Sequence, residues 1–434
     1  MRHLIKALLL STASTLVVST ASADTELEDR IAALEETVAL LKAELAAEKA
    51  DNDTDIVRLE TKISETAPAS SPAGEGFVVG GTTLKFGGYV DFDGHVTNLS
   101  DGAIGSSSIG RDFYIPGLIG IGGSETTTTD FTAQASRITL DGSRMVGDKK
   151  VTGYFEMDFL GSLQGDERVS SSFSPRLRRA YLDYNGWRVG QEWSTFQNTS
   201  AIPESASFLA SSDGMIFMRQ AQIRYTNGPW QFALENGNAT ITPVGGGRIE
   251  ADANLVPDVV GRYNFTGGFG NVSLAAIGRQ LRMEMPGVEE DAFGWGISAS
   301  GRVKAGARDD IRFNVVAGEG LGRYVGLNAT NAAAVNPIDG SLEAIPSVGG
   351  LVAWRHPFGE TARLNIGYSG LWIDNPDFLP GSVTKEVYSA FGALLWDVAP
   401  KTTVGAEIMF GQRENEAGAS GDMTRFTVST KYAF

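Results

Sequence analysis

The sequence predicts an all-β transmembrane barrel of about sixteen antiparallel strands, preceded by a short N-terminal α-helical coiled coil. Three observations carry this. From about residue 77 onward the side chains alternate apolar and polar with a period of two. The alternating segments number about sixteen, and the connections between them are in turn mostly long and mostly short. Ahead of them, residues 25–65 hold a heptad pattern without any Gly or Pro.

Residues 1–23 read as a secretory signal: Arg2 and Lys6 form a basic start, Ala7 to Val18 an apolar stretch, and Ala21-Ser22-Ala23 a cleavage site. No later stretch approaches the ~18 apolar residues that a spanning helix needs. Export without a helical anchor leaves a periplasmic, secreted or outer-membrane product. Residues 24–66 form the expected periplasmic coiled coil. Leu27, Ile31, Leu34, Val38, Leu41 and Leu45 alternate spacings of four and three, and Ile56, Leu59 and Ile63 resume the seam after a stutter. The β-branched and Leu positions nominally favour a parallel dimer, a weak preference over three heptads. Residues 67–76, with two Pro and several Ser and Ala, are a linker. The barrel then occupies residues 77–434.

The last segment shows the barrel pattern most clearly. Phe426, Val428, Thr430, Tyr432 and Phe434 fall on one face, and Arg425, Thr427, Ser429, Lys431 and Ala433 on the other. One face suits lipid and the other water, and Phe434 suits the membrane interface. Comparable segments lie near 84–94, 132–142, 150–160, 175–185, 187–195, 217–226, 229–236, 257–266, 271–281, 292–303, 310–318, 349–356, 361–372, 385–397, 401–412 and 423–434. A soluble sandwich would also alternate. The export signal, the terminal aromatic and the segment lengths together favour the barrel. Connections 95–131, 161–174, 196–216, 237–256, 282–291, 319–348, 373–384 and 413–422 are the long ones, expected outside the cell. Both barrel ends then face the periplasm.

Composition excludes several functions. With no cysteine there is no disulfide framework, Cys-ligated zinc, iron–sulfur cluster or thiol catalysis. Only His3, His95 and His356 are present, which leaves no multi-His metal site and little room for a His-based triad, so neither an enzyme nor a cofactor is expected. A net charge of −16 gives no electrostatic case for nucleic acid.

Mid-strand Arg recurs at water-facing parity: Arg137, Arg224, Arg262, Arg363 and Arg425. An Arg facing lipid at the membrane centre costs about 2–4 kcal/mol, so such residues belong in the lumen. In Arg176-Leu177-Arg178-Arg179 strict alternation sends Arg178 and Arg179 to opposite faces, one luminal and the other near a rim. A luminal Arg ladder favours anions. The competing reading pairs the same Arg with Glu156, Asp158, Asp183, Glu235 and Glu407 across the wall. The third long connection, 196–216, joins strands five and six and contains Asn198, Glu204, Ser205 and Asp213.

The run Ser174-Pro175-Arg176-Leu177-Arg178-Arg179-Ala180-Tyr181-Leu182-Asp183-Tyr184, continuing through Trp187-Arg188-Val189-Gly190-Gln191-Glu192-Trp193, resembles the DcaP-like porins of Gram-negative outer membranes. So do Met218-Arg219-Gln220-Ala221-Gln222-Ile223-Arg224-Tyr225 and Ser136-Arg137-Ile138-Thr139-Leu140, and so does a coiled coil ahead of a barrel. The resemblance implies a homotrimer of sixteen-stranded barrels whose lumen favours small anions such as dicarboxylates. By matching position it makes Arg137, Arg178, Arg188 and Arg224 pore-lining candidates. It also implies that the third long loop, with Asn198, Glu204, Ser205 and Asp213, folds inward as a constriction. The expected function is passive diffusion of small hydrophilic solutes across the outer membrane. The expected surroundings are outer-membrane lipid and peptidoglycan, the latter reached by the coiled coil. The alternatives are a non-selective general porin, or a structural tether or adhesin.

Overall fold

The structure, a computed structural model, describes residues 36–40, 42–43, 76–161, 170–285 and 288–434. Residues 36–40 and 42–43 are helical. The remainder of the expected signal, coiled coil and linker lies outside the described residues.

Residues from 76 onward form a closed sixteen-stranded antiparallel barrel. Its strands are β1 (Thr82–Leu99), β2 (Thr126–Thr132 and Arg137–Val146), β3 (Lys149–Asp158), β4 (Arg176–Tyr184), β5 (Trp187–Trp193), β6 (Arg219–Asn227), β7 (Trp230–Glu235) and β8 (Asp258–Gly267). They continue as β9 (Gly270–Met285), β10 (Val288–Ala305), β11 (Asp309–Glu319), β12 (Pro346–Phe358), β13 (Ala362–Ile373), β14 (Thr384–Ala399), β15 (Thr402–Asn415) and β16 (Ser420–Ala433). Each pairs with the next, and β1 closes the sheet on β16 with Tyr89 opposite Ala433 and Leu99 opposite Met423. Closure leaves no edge strand for the membrane to face.

The period-two pattern now has a geometric meaning. Phe92, Phe410, Phe426 and Val428 are exposed on the outside, while Thr427 and Arg425 are buried inside. β2 is one strand in two pieces: the first pairs with the upper half of β1 and the second with its lower half. At the break Ser136 stands in for the ladder, accepting from Asp91 N–H at 3.0 Å and donating to Asp91 C=O at 3.2 Å. The tight turn between β4 and β5 is Asn185-Gly186, both at positive φ (49° and 87°), the mirror-image turn that matches strand twist.

Two expectations change. Connection 282–291 is not a loop, because β9 and β10 stay paired up to Met285 opposite Val288. Arg282 sustains the extension by ion-pairing Asp291 at 2.8 Å and, still closer, Glu289 on the facing strand. Arg178 and Arg179 do not point to opposite faces. The β3–β4 register shifts, with Glu156 opposite Arg179 and Met157 opposite Leu177, so Arg178 is the extra residue of a bulge. A bulge resets the alternation, and both guanidiniums reach Glu156.

At the long-loop end, Ala239–Thr242 and Ile249–Ala251 pair with Ala333–Val335 and Leu342–Ala344 in a separate four-stranded sheet. It ties the loop after β7 to the loop after β11 through the parallel pair Ile241 and Ala333.

Candidate functional site

The loop between β5 and β6, residues 194–218, lies inside the barrel. Asn198 caps a short 3-10 turn by accepting from Ser200 N–H at 3.1 Å, and its amide donates to Asn271 Oδ1 at 2.8 Å and Ser300 O at 3.2 Å, on β9 and β10. Glu204 receives Arg312 of β11 and Arg355 of β12, each at 3.2 Å, and Arg363 of β13. Ser205 Oγ donates to Glu407 of β15 at 2.5 Å, and Ala206 N–H joins it at 3.1 Å. Asp213 accepts from Tyr114 of the first long loop at 2.6 Å and from Ser389 of β14. The loop therefore touches the wall from β9 to β15 before returning to β6.

Its tightest contact needs a glycine. A Cβ on Gly214 would sit 2.1 Å from Gly350 N and 2.3 Å from Gly370 O. Backbone lies against backbone there, fixed by Gly214 N–H to Ser369 Oγ at 2.8 Å and Asn314 Nδ2 to Gly214 O at 2.7 Å. The loop after β11 joins from above: Phe217 N–H donates to Tyr324 O at 3.0 Å and Gly326 N–H to Met215 O at 3.2 Å. Gly322 makes this turn at φ 43°, where a Cβ would meet Ala332 N at 2.7 Å.

These loop carboxyls differ electrostatically. Burial pushes Asp213 up to about 6, although the Ser389 and Tyr114 hydroxyls pull the other way. Burial would also raise Glu204, but Arg363, Arg312 and Arg355 hold it below the ordinary carboxylate range.

Most luminal arginines fall into three groups, with Arg279 of β9 apart from them, buried on Asp258 of β8 at 2.9 Å. On β2 to β5, Arg178 is buried between Glu156 (2.6 Å) and Asp158 (2.7 Å). Arg137 lies 3.5 Å from Glu156, Arg176 binds Asp158 at 2.9 Å, and Arg179 binds Glu192 at 2.6 Å. Arg188 reaches Asp183 at 2.7 Å and Glu192 at 2.6 Å, over the Tyr181 ring at 3.9 Å. Five guanidiniums share four carboxylates in this network. On the far wall Arg312, Arg355 and Arg363 meet Glu204, Asp310 and Asp397.

The third group has only neutral acceptors. Arg224 donates to Thr195 Oγ1 at 2.8 Å and Gln222 Oε1 at 3.0 Å. Arg262 donates to Asn264 Oδ1 at 2.7 Å and Gln197 O at 2.6 Å. Arg425 donates to Thr97 Oγ1 at 2.8 Å and Gly110 O at 2.6 Å. Among the described residues none of these three has a carboxylate within ion-pair distance. Of the proposed wall acids, Glu235 instead accepts from Thr195 N–H at 2.6 Å and Gln220 at 2.9 Å, and Glu407 holds the loop.

Arg312 and Arg355, partners of Glu204, were not singled out in the sequence. Each shares inward parity in a segment whose strand was expected, so the rule that found Arg363 reaches them too. Tyr324 and its loop carried no such signal, because a loop has no period.

The family profile described as DcaP outer membrane protein matches residues 20–434. The outer membrane channel DcaP of Acinetobacter baumannii is similar in fold: TM-score 0.69, 23% identity, covering 83% of this chain and 100% of that one. A loop-deletion mutant of the outer membrane protein OmpT of Vibrio cholerae is also similar, with TM-score 0.51 and 13% identity over 82% of this chain and 100% of that one. Curated protein sequences give no match.

Proposed function

The chain belongs to the DcaP outer membrane protein family, and from that premise we propose that it is an outer-membrane channel that passes small hydrophilic anions, dicarboxylates among them, by diffusion. The observation that carries the anion preference is the third arginine group. Arg224, Arg262 and Arg425 keep their charge without a contacting carboxylate, in a barrel whose other luminal arginines are largely ion-paired. A guanidinium with no carboxylate in contact favours anions nearby over cations, Arg425 acting from a buried position and Arg262 from a more accessible one. The four ion-paired candidates, Arg137, Arg178, Arg188 and Arg363, shape and stiffen the wall; the ladder is thus part field and part scaffold.

The loop 194–218 sets the width of the path. Asn198, Glu204, Ser205 and Asp213 act as its staples to the wall, and the loop after β11 adds a second layer. The long loops face outward and the N-terminal coiled coil reaches into the periplasm toward peptidoglycan. Self-association as a homotrimer follows from the family reading.

Reversal potential across a planar bilayer under a KCl gradient tests the central claim. An anion-selective sign, with chloride current blocked by added succinate, is the expected result. A cation-selective sign would sink it and leave a general porin with wall-paired charges.

A further inference from the structure

The long-loop end carries a second polar site, separate from the luminal arginines. Four loops and the upper end of β15 enclose a cavity of about 380 Å³, room for on the order of a dozen waters. Arg248, from the loop after β7, and Arg413, on β15, both line it, and among the described residues no Asp or Glu does. That is notable in a chain with 52 acidic residues.

Both arginines are held in place by neutral groups. Arg413 donates through Nε to Thr384 Oγ1 at 2.9 Å and through Nη1 to Ile119 O at 3.0 Å. Arg248 donates through Nε to Asn331 Oδ1 at 2.6 Å and through Nη2 to Asn328 O at 2.8 Å. Neither ion-pairs with a carboxylate among the described residues. Arg413 Nη2 and Arg248 Nη1 make no hydrogen bond there, so each guanidinium has donors to spare. Two carboxamide atoms in the lining are also uncommitted, Asn328 Nδ2 and Asn375 Oδ1, one a donor and the other an acceptor. Two acids stand near the lining: Glu250, which acts on Arg248 from its own loop, and Glu416, bound to the Asn375 amide at 2.8 Å.

We infer that this cavity is an entry-side binding site for small hydroxy-carboxylates. The guanidinium fork matches a carboxylate, and a carboxamide donor and acceptor match a hydroxyl. Two cations in one cavity suit a ligand with two carboxylates. The site would concentrate solute at the mouth before it meets the loop 194–218. The inference rests on the reading of the chain as a channel, but not on luminal anion selectivity.

Single-channel recording with malate tests it. The chain has no cysteine, so Ile338→Cys, at a position 90% exposed, can be biotinylated and streptavidin then marks the long-loop chamber. Malate added on the long-loop side should bind faster than from the other side. In Arg248→Gln/Arg413→Gln that on-rate should fall about tenfold, while the on-rate from the opposite side changes by less than about twofold. Arg413 also holds the first loop, so if the double variant forms no channels, Arg248→Gln alone decides, with a fall of about threefold expected. Succinate, which lacks the hydroxyl, should dwell for less time than malate.

An unchanged on-rate from the long-loop side, or an equal fall from both sides, would overturn the site. Equal dwell times for malate and succinate would overturn the hydroxyl part. A cation-selective KCl reversal potential with side-specific malate block intact defeats the luminal reading and leaves this one standing; the opposite pair does the reverse.

Discussion

Glu204 at the turn of the inward loop and Arg363 on β13 are 159 residues apart in the chain, yet the carboxylate accepts directly from the Arg363 Nε. The same carboxylate serves Arg312 and Arg355, so one loop side chain joins Asp310 and Asp397 in compensating three wall cations.

Glu204→Gln should therefore expose positive charge rather than merely loosen the loop. The chloride-to-potassium permeability ratio is expected to rise by about twofold, with noisier open-channel current. Reversal potentials under a salt gradient measure the ratio. A fall would show that Glu204 does not mask these arginines.

Arg224→Gln/Arg262→Gln should do the opposite. Both residues donate only to neutral acceptors, so their removal takes away field without stranding a carboxylate. The permeability ratio should drop by about two- to threefold, by the same measurement.

Arg178 is a different case. It is buried between Glu156 and Asp158, and Arg178→Leu removes the buried cation that both share, leaving Glu156 only the longer ion pairs to Arg137 and Arg179 and Asp158 only Arg176. Losing one partner of a buried ion pair costs about 3–5 kcal/mol. Denaturant unfolding of the detergent-solubilised barrel should show that loss, whereas Arg262→Gln should show little.

Gly214→Ala puts a methyl where the backbone of Gly350 lies 2.1 Å away. Overpacking of this kind costs about 1–3 kcal/mol, and here the clash is with backbone that cannot rotate aside. Protease cleavage within residues 194–218, slow in the parent protein, should become rapid.

Asp213 gives the loop a pH response. Its carboxyl sits at about 6 when folded, above an ordinary carboxylate, so the native state favours the protonated form. That stabilisation is fully present below about pH 4 and is lost as pH rises through about 6, a difference on the order of 3 kcal/mol. Open-channel noise should grow between about pH 4 and about 6, and Asp213→Asn should flatten the profile. Equal slopes in the two proteins would remove Asp213 from the account.

What the sequence made legible was what repeats. All sixteen expected segments coincide with barrel strands, because each strand must turn one face to lipid and the other to water, and that demand is written at every second residue. Arg224 and Arg425 sit at the inward parity expected of them. Where the pattern stops, so does legibility. The bulge at Arg178 breaks the period with no glycine or proline to announce it. The β9–β10 extension is held by charges of the kind that also mark a solvent-exposed loop. The tie between Phe217 and Tyr324 joins two loops over 107 residues through backbone atoms, which carry no residue-type signal. Glu204 was visible as a loop residue, but its three partners are set by the curvature of the closed wall.

The staples of the inward loop also order the assembly of the barrel in time. The staples through Asn198, Glu204, Ser205 and Gly214 reach wall partners from Asn271 to Glu407, all C-terminal to the loop itself. The first eight strands by themselves offer this loop Glu235 and Arg262 but none of those staples. Docking is complete only when β9 to β15 are in place, and the loop-closure entropy for separations of 73 to 202 residues is met only then. The channel is thus widest while it is being built, and it narrows as the last strands arrive.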